Sequence, residues 1–117
     1  MVEQLRAYCC SKLGAEEKYM EDWGAFKYTV GEKMFAIISS DSKKKPLISL
    51  KCDVVESEHL RQQYEDIVPG YYLNKQHWNS IYYTHGRVPM ELIEELIEHS
   101  YRLVFNSLTK KKRAEIE

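Results

Sequence analysis

Apolar residues along this chain recur with two different periods, and each change of period marks an element. Val2, Leu5, Cys9 and Leu13 fall at helical spacing and Gly14 stands as a stop, so residues 2–13 are expected as an amphipathic helix. Residues 15–24, AEEKYMEDWG, are acidic and aromatic without either period, and read as a connection. Phe26, Tyr28 and Val30 alternate with Lys27 and Thr29, which predicts a strand. Val30–Lys33 is a tight turn into a second, more buried strand at Met34–Ser39. The polar stretch Ser40–Pro46 reads as a loop and Leu47–Cys52 as a third strand, with Ile48, Leu50 and Cys52 on one face and Leu47, Ser49 and Lys51 on the other.

Asp53 is a good N-cap for a helix over 54–65 that buries Val54 or Val55, Leu60 and Tyr64. Pro69-Gly70 is a turn signal. Two strands are then expected, Tyr71–Asn74 and Trp78–Tyr83, linked through Lys75 and Gln76. His85-Gly86-Arg87 turns the chain, and Pro89 suits the first turn of a helix, where its missing N–H is no loss. Leu92, Ile93, Leu96, Ile97, Tyr101, Val104 and Leu108 make one apolar stripe, either one long helix or two short ones meeting near Ser100. Lys110–Arg113 suit a helix C-terminus, and 110–117 form a basic tail. The expected order is α-β-β-β-α-β-β-α. It describes an α+β two-layer sandwich, an antiparallel sheet with its helices on one face and the other face at least partly open.

Composition narrows the function classes without choosing one. The chain has 117 residues, 44% of them hydrophobic, and a formal net charge of −1. That content fits one folded domain over residues 1–117 and excludes intrinsic disorder. The longest apolar run, Met34–Ile38, is far too short to span a bilayer, and the first residues lack the basic and apolar regions of a signal peptide. Three cysteines (Cys9, Cys10 and Cys52), odd in number and without CxxC spacing, suit free thiols in a reducing, cytoplasmic setting. His59, His77, His85 and His99 never fall at zinc spacing, and the five glycines form no phosphate-cradling loop, so no cofactor or metal is expected.

Three segments carry a likeness to a known family: Pro46–Asp53 (PLISLKCD), Ile67–Tyr83 (IVPGYYLNKQHWNSIYY) and Val88–Val104 (VPMELIEELIEHSYRLV), with GEKMFAII at 31–38. Together they resemble the MmcQ/YjbR family over nearly the whole chain. The resemblance implies a frataxin-like (CyaY-like, double-wing) sandwich, a small bacterial cytoplasmic protein and DNA binding without catalysis. Gln76 departs from the family pattern, where arginine is commoner, which removes one phosphate contact.

The candidate nucleic-acid site is a set of basic and aromatic residues on strand ends and loops. Lys43, Lys44, Lys45, Lys51, Lys75 and Arg87 are placed to neutralise phosphates, with His77 and Trp78 to contact bases or sugars. A solvated lysine loop and a core tryptophan would explain the same residues without DNA. An active site built on His77 as general base, oriented by Asn74 or Asn79, lacks a nucleophile and paired carboxylates. Iron binding, by analogy with frataxins, would need clustered acids. The first helix offers only Glu3, with Glu16 and Glu17 beyond it, while Glu91, Glu94, Glu95 and Glu98 suit a solvated helix face. The expectation is a non-enzymatic, by default monomeric protein that binds DNA weakly and with strong salt dependence. The alternative is a protein-interaction module using the open sheet face. Acids concentrate in 15–22, 53–66 and 91–98, so a total charge near zero can still leave a basic rim.

Overall fold

The computed structural model describes residues 1–117. Helix α1 (Val2–Cys10) leads into strands β1 (Glu16–Met20), β2 (Ala25–Val30), β3 (Lys33–Ser40) and β4 (Pro46–Lys51). Helix α2 (Val54–Gln63), strands β5 (Ile67–Pro69) and β6 (Trp78–Ile81), a 3-10 turn (Tyr83–His85) and helices α3 (Met90–Ser107) and α4 (Lys110–Ile116) follow. The strands form one antiparallel sheet in the order β1-β2-β3-β4-β6-β5. This is the α+β layered architecture that the two periods predict.

The helices lie on one face, which we call the inner face. Tyr28, Val30, Ala36, Ile38, Ile48, Leu50 and Ile81 point into the core there, against Leu5 and Cys9 of α1, Leu60 of α2 and Ile93, Ile97 and Val104 of α3. A bulge sets this packing. Tyr28 pairs with Ala36 and Thr29 with Met34, so Phe35 has no partner on β2 and turns inward with Ala36. Ser100 of α3 occupies the irregularity: its Oγ donates to the Phe35 carbonyl (2.6 Å) and accepts from the Lys51 amide (2.9 Å). The α3 helix therefore runs unbroken through Ser100. Glu17 on β1 accepts from both Arg6 of α1 (3.0 and 3.1 Å) and the buried Tyr28 hydroxyl (2.6 Å), joining helix and sheet edge.

Local signals set most turns. Gly31 and Glu32 both take positive φ (56° and 70°), as a two-residue hairpin with the twist of its strands requires. Asp53 caps α2 as expected, its carboxylate accepting from the Glu56 amide.

Several boundaries differ from the sequence reading. Residues 15–24 are a strand and a turn, because Glu16–Met20 pairs along the free edge of β2. Tyr71–Asn74 is not a strand; Ile67–Pro69 pairs with β6 instead, and Tyr72, at φ 64°, cannot continue a ladder. Strand β6 stops at Ile81, short of Tyr83, and α2 stops at Gln63. Lys110–Lys112 open a new helix capped by Thr109 instead of closing α3, so their charges oppose the helix dipole. Pro89 is the N-cap of α3, one position before the first turn.

Candidate nucleic-acid interface

The outer face of the sheet divides into a covered and an open half. Cross-strand registers align Lys18, Lys27, Ile37, Ser49 and Ser80 in one row on that face. Over β4 and β6 the row is buried. Segment 70–77 folds across it: the Tyr71 amide donates to Ser80 Oγ (2.9 Å), and Ser80 Oγ meets Ser49 Oγ at 2.6 Å. Gly70 is needed here, because a Cβ at this position would lie 2.7 Å from the Trp78 Cβ. Over β1, β2 and the ends of β3 the face stays accessible, with Lys18 exposed and Lys27, Thr29 and Met34 half-buried, while Ile37 in the middle of β3 is buried. Lys18 stands directly opposite Lys27. Neither has a carboxylate within 4 Å; Lys12 is the lysine that does. Like charges in register repel.

The lysine loop lies at the end of this open half. It is an ordered turn, organised by Asp41, whose Oδ1 accepts from the Lys43 amide (2.8 Å) and the Lys45 amide (3.0 Å). Those amides, with the Tyr82 hydroxyl (2.9 Å), hold the Asp41 carboxyl below the usual carboxylate range. Burial and this carboxylate push Tyr82 up to about 12. Asp41 is thus committed to the turn. Lys43, Lys44 and Lys45 project from it fully exposed.

The other candidates lie elsewhere. Lys51 ends β4, about 17 Å along the strand from Pro46. It pairs in register with Trp78, which is half-buried on the outer face. Lys75 and His77 are exposed nearby, with Lys75 Nζ donating to the Gly70 carbonyl (3.0 Å). Arg87 returns to the Lys43–Lys45 end, but between two carboxylates: Nη1 is 3.0 Å from Glu65 and Nε 3.3 Å from Asp66. His85 Nδ1 lies 3.0 Å from the other Asp66 oxygen, closing a polar cavity of about 310 Å³ lined also by Lys43, Lys45 and Tyr82. The eight residues therefore form two groups at opposite ends of β4.

The His77 base has no orienting amide. Asn79 is buried on the inner face, where Arg61 Nε donates to its Oδ1 (2.6 Å). Asn74 Oδ1 accepts from the Gln76 and His77 amides in a turn. Burial pushes the Cys9 thiol up to about 12 and raises that of Cys52, so neither is a ready nucleophile.

A groove runs along the open half, over β3. It is lined by Met34, Ser39 and Ser40 of β3, by Asp22 and Trp23 of the β1–β2 turn, and by Tyr71, Tyr72 and Leu73 of segment 70–77. The volume is about 400 Å³. Trp23 is 57% exposed and Tyr72 83%. Tyr71 ties the groove to the basic hairpin, since its hydroxyl accepts from the Ser42 amide at 2.9 Å.

The YjbR family model matches residues 10–103. The chain belongs to the YjbR family. It is 36% identical over 112 residues to YjbR of Escherichia coli K12, covering 96% of this chain and 93% of that protein. It is also 31% identical over 96 residues to YyaQ of Bacillus subtilis, covering 74% and 79%. Among solved structures, Deinococcus radiodurans DR2400, described with a DUF419 domain, superimposes with a TM-score of 0.88 at 34% identity, over 99% of this chain and 87% of that one. A Pseudomonas syringae protein, at 23% identity and a TM-score of 0.75 over 87% and 97%, shares the fold.

Within this YjbR-family fold, sequence reasoning missed Lys18, Lys27, Trp23 and Tyr72. The first three depend on β1 and its turn, whose only local signals are Trp23-Gly24 and the positive φ of Gly24 (60°). The acids are dispersed: Glu98 is engaged by Lys12 and Arg102, Glu17 by Arg6. No three His, Cys, Asp or Glu side chains come together as a metal-binding group, and no helix is long and apolar enough to cross a membrane.

Proposed function

We propose that the protein binds DNA without catalysing a reaction on it, through the open half of the outer face. The observation that carries this reading is the set of lysines with no carboxylate within 4 Å around one accessible surface: Lys18 opposite Lys27, and Lys43–Lys45 on the ordered turn at its end. Each phosphate drawn to such a lysine releases a counterion and relieves the Lys18–Lys27 repulsion. Lys75 and His77 of segment 70–77, with Lys51 and Trp78, extend the contact to the other end of β4. Arg87 contributes little, because Glu65 and Asp66 already balance its charge. The near-neutral total charge, −1, keeps the affinity modest and strongly salt-dependent.

Fluorescence anisotropy with a labelled duplex and a labelled single strand tests the reading. The expected logarithmic affinity falls with logarithmic salt at a slope of roughly −3 to −5, for about four to six neutralised phosphates. Replacing Lys43, Lys44 and Lys45 together by Ala should flatten that slope by about 2 to 3. A dissociation constant weaker than about 100 μM at 50 mM salt for both DNA forms sinks it, being no tighter than non-specific attraction. The competing reading, a protein-interaction module, rests on the exposed Trp23 and Tyr72 of the same face. It predicts that the triple lysine variant leaves partner binding intact.

A further inference from the structure

Trp23 and Tyr72 are among the large hydrophobic side chains the fold leaves most exposed, and they line one groove from two different segments, the β1–β2 turn and segment 70–77. Tyr72 holds a left-handed backbone (φ 64°), which costs a bulky L-residue about 1–2 kcal/mol, in order to present its ring at 83% exposure. The ring packs edge-on against Tyr71 (centroids 4.3 Å apart), whose hydroxyl is anchored to the lysine turn, so the ring is braced from behind. The groove volume, about 400 Å³, lies in the range of small-molecule sites. Its lining combines aromatic and thioether surface with one carboxylate, Asp22, and the Ser39 and Ser40 residues. Lysines flank it on the β1–β2 side (Lys18, Lys27) and at the hairpin end (Lys43–Lys45).

We propose that this groove receives an unpaired nucleobase between Trp23 and Tyr72, so that the preferred ligand is single-stranded DNA. The inference rests on the DNA-binding reading above and narrows it. A base inside a duplex offers only its edges, whereas aromatic stacking needs a free face. Phosphates on either side of the inserted base meet the two lysine groups. Asp22 is the one lining group that would repel a phosphate, and it suits a base instead, accepting from an exocyclic amino group such as N4 of cytosine. Thymine has no such donor, so cytosine tracts bind more tightly than thymine tracts.

The test compares a 15-nucleotide single strand with its duplex on the full, unsubstituted chain, with Trp23→Phe alongside it to assign the Trp23 share of the emission. The single strand is expected to bind at least about tenfold more tightly and to quench Trp23 emission. Trp23→Ala and Tyr72→Ala should each weaken single-strand binding about 5- to 100-fold, with the salt slope unchanged, and Trp23→Phe should restore most of the loss. Equal single-strand and duplex affinities, indifferent to both alanine variants, overturn this inference and leave the DNA reading standing. Loss of binding to both DNA forms removes the two together. Sedimentation on the same samples covers the remaining occupant: a dimer dissolved by Trp23→Ala, with DNA affinity unaltered, assigns the groove to a second copy and overturns the proposal.

Discussion

The two faces of the sheet are built from the same strands but solve opposite problems. On the inner face, polar groups are few and most are matched: Ser100 takes the Phe35 carbonyl, Arg61 the Asn79 amide oxygen, and Glu17 both Arg6 and Tyr28, while Ser57 Oγ of α2 is buried without a partner. On the open half of the outer face, two lysines oppose each other without carboxylates and two aromatic rings stand in solvent. The first arrangement lowers the free energy of the isolated chain. The second leaves it higher than necessary, as expected of a surface whose partner is another molecule.

The largest test of this contrast is Ile97→Ala, which removes a fully buried side chain from α3 and should cost about 2–5 kcal/mol in urea unfolding. Trp23→Ala on the outer face should cost under about 0.5 kcal/mol. A comparable loss at Trp23 would erase the difference between the faces.

Next in size is the acid response. The Arg6 guanidinium and the Tyr28 hydroxyl lower the Glu17 carboxyl, despite the opposing effect of burial, below its ordinary value near 4.5. A carboxyl depressed in the folded state stabilises fully above its unfolded value, and that contribution disappears as pH falls through the folded value. The melting temperature should therefore drop on acidification from pH 6 toward pH 3, and Glu17→Gln should start lower and fall less steeply. An identical pH profile in both proteins would remove Glu17 from the inner-face network.

The smallest effect is on the outer face. Lys27→Glu converts a like pair with Lys18 into an opposite one and should stabilise the fold by a few tenths of a kcal/mol while weakening DNA binding. Stabilisation without any change in binding would detach this lysine pair from the interface.

Legibility in the sequence followed the same division. The α3 stripe is plain because Ile93, Ile97 and Val104 face one core at a helical period. The alternation in β2 is equally direct. Strand β1 is hidden because an exposed edge strand needs no apolar period, and Glu16–Met20 carries only Tyr19 and Met20 as apolar positions. Tyr71–Leu73 has strand-forming residues, but Tyr72 takes a positive φ, which leaves no local trace in the sequence. Lys43–Lys45 are readable as a loop from three adjacent lysines. Their link to the groove is not, since it depends on segment 70–77 crossing the sheet to bring the Tyr71 hydroxyl to the Ser42 amide.

The edges of the sheet bear on how this chain behaves when crowded. At one side β1 presents Glu16, Glu17 and Lys18 with its free backbone, and at the other β5 is three residues long and ends in Pro69, which has no amide hydrogen to offer. A further strand approaching either side meets charge or a missing donor, so the sheet does not grow by accretion. The protein can therefore expose an aromatic groove on its face without that groove becoming the seed of a fibril.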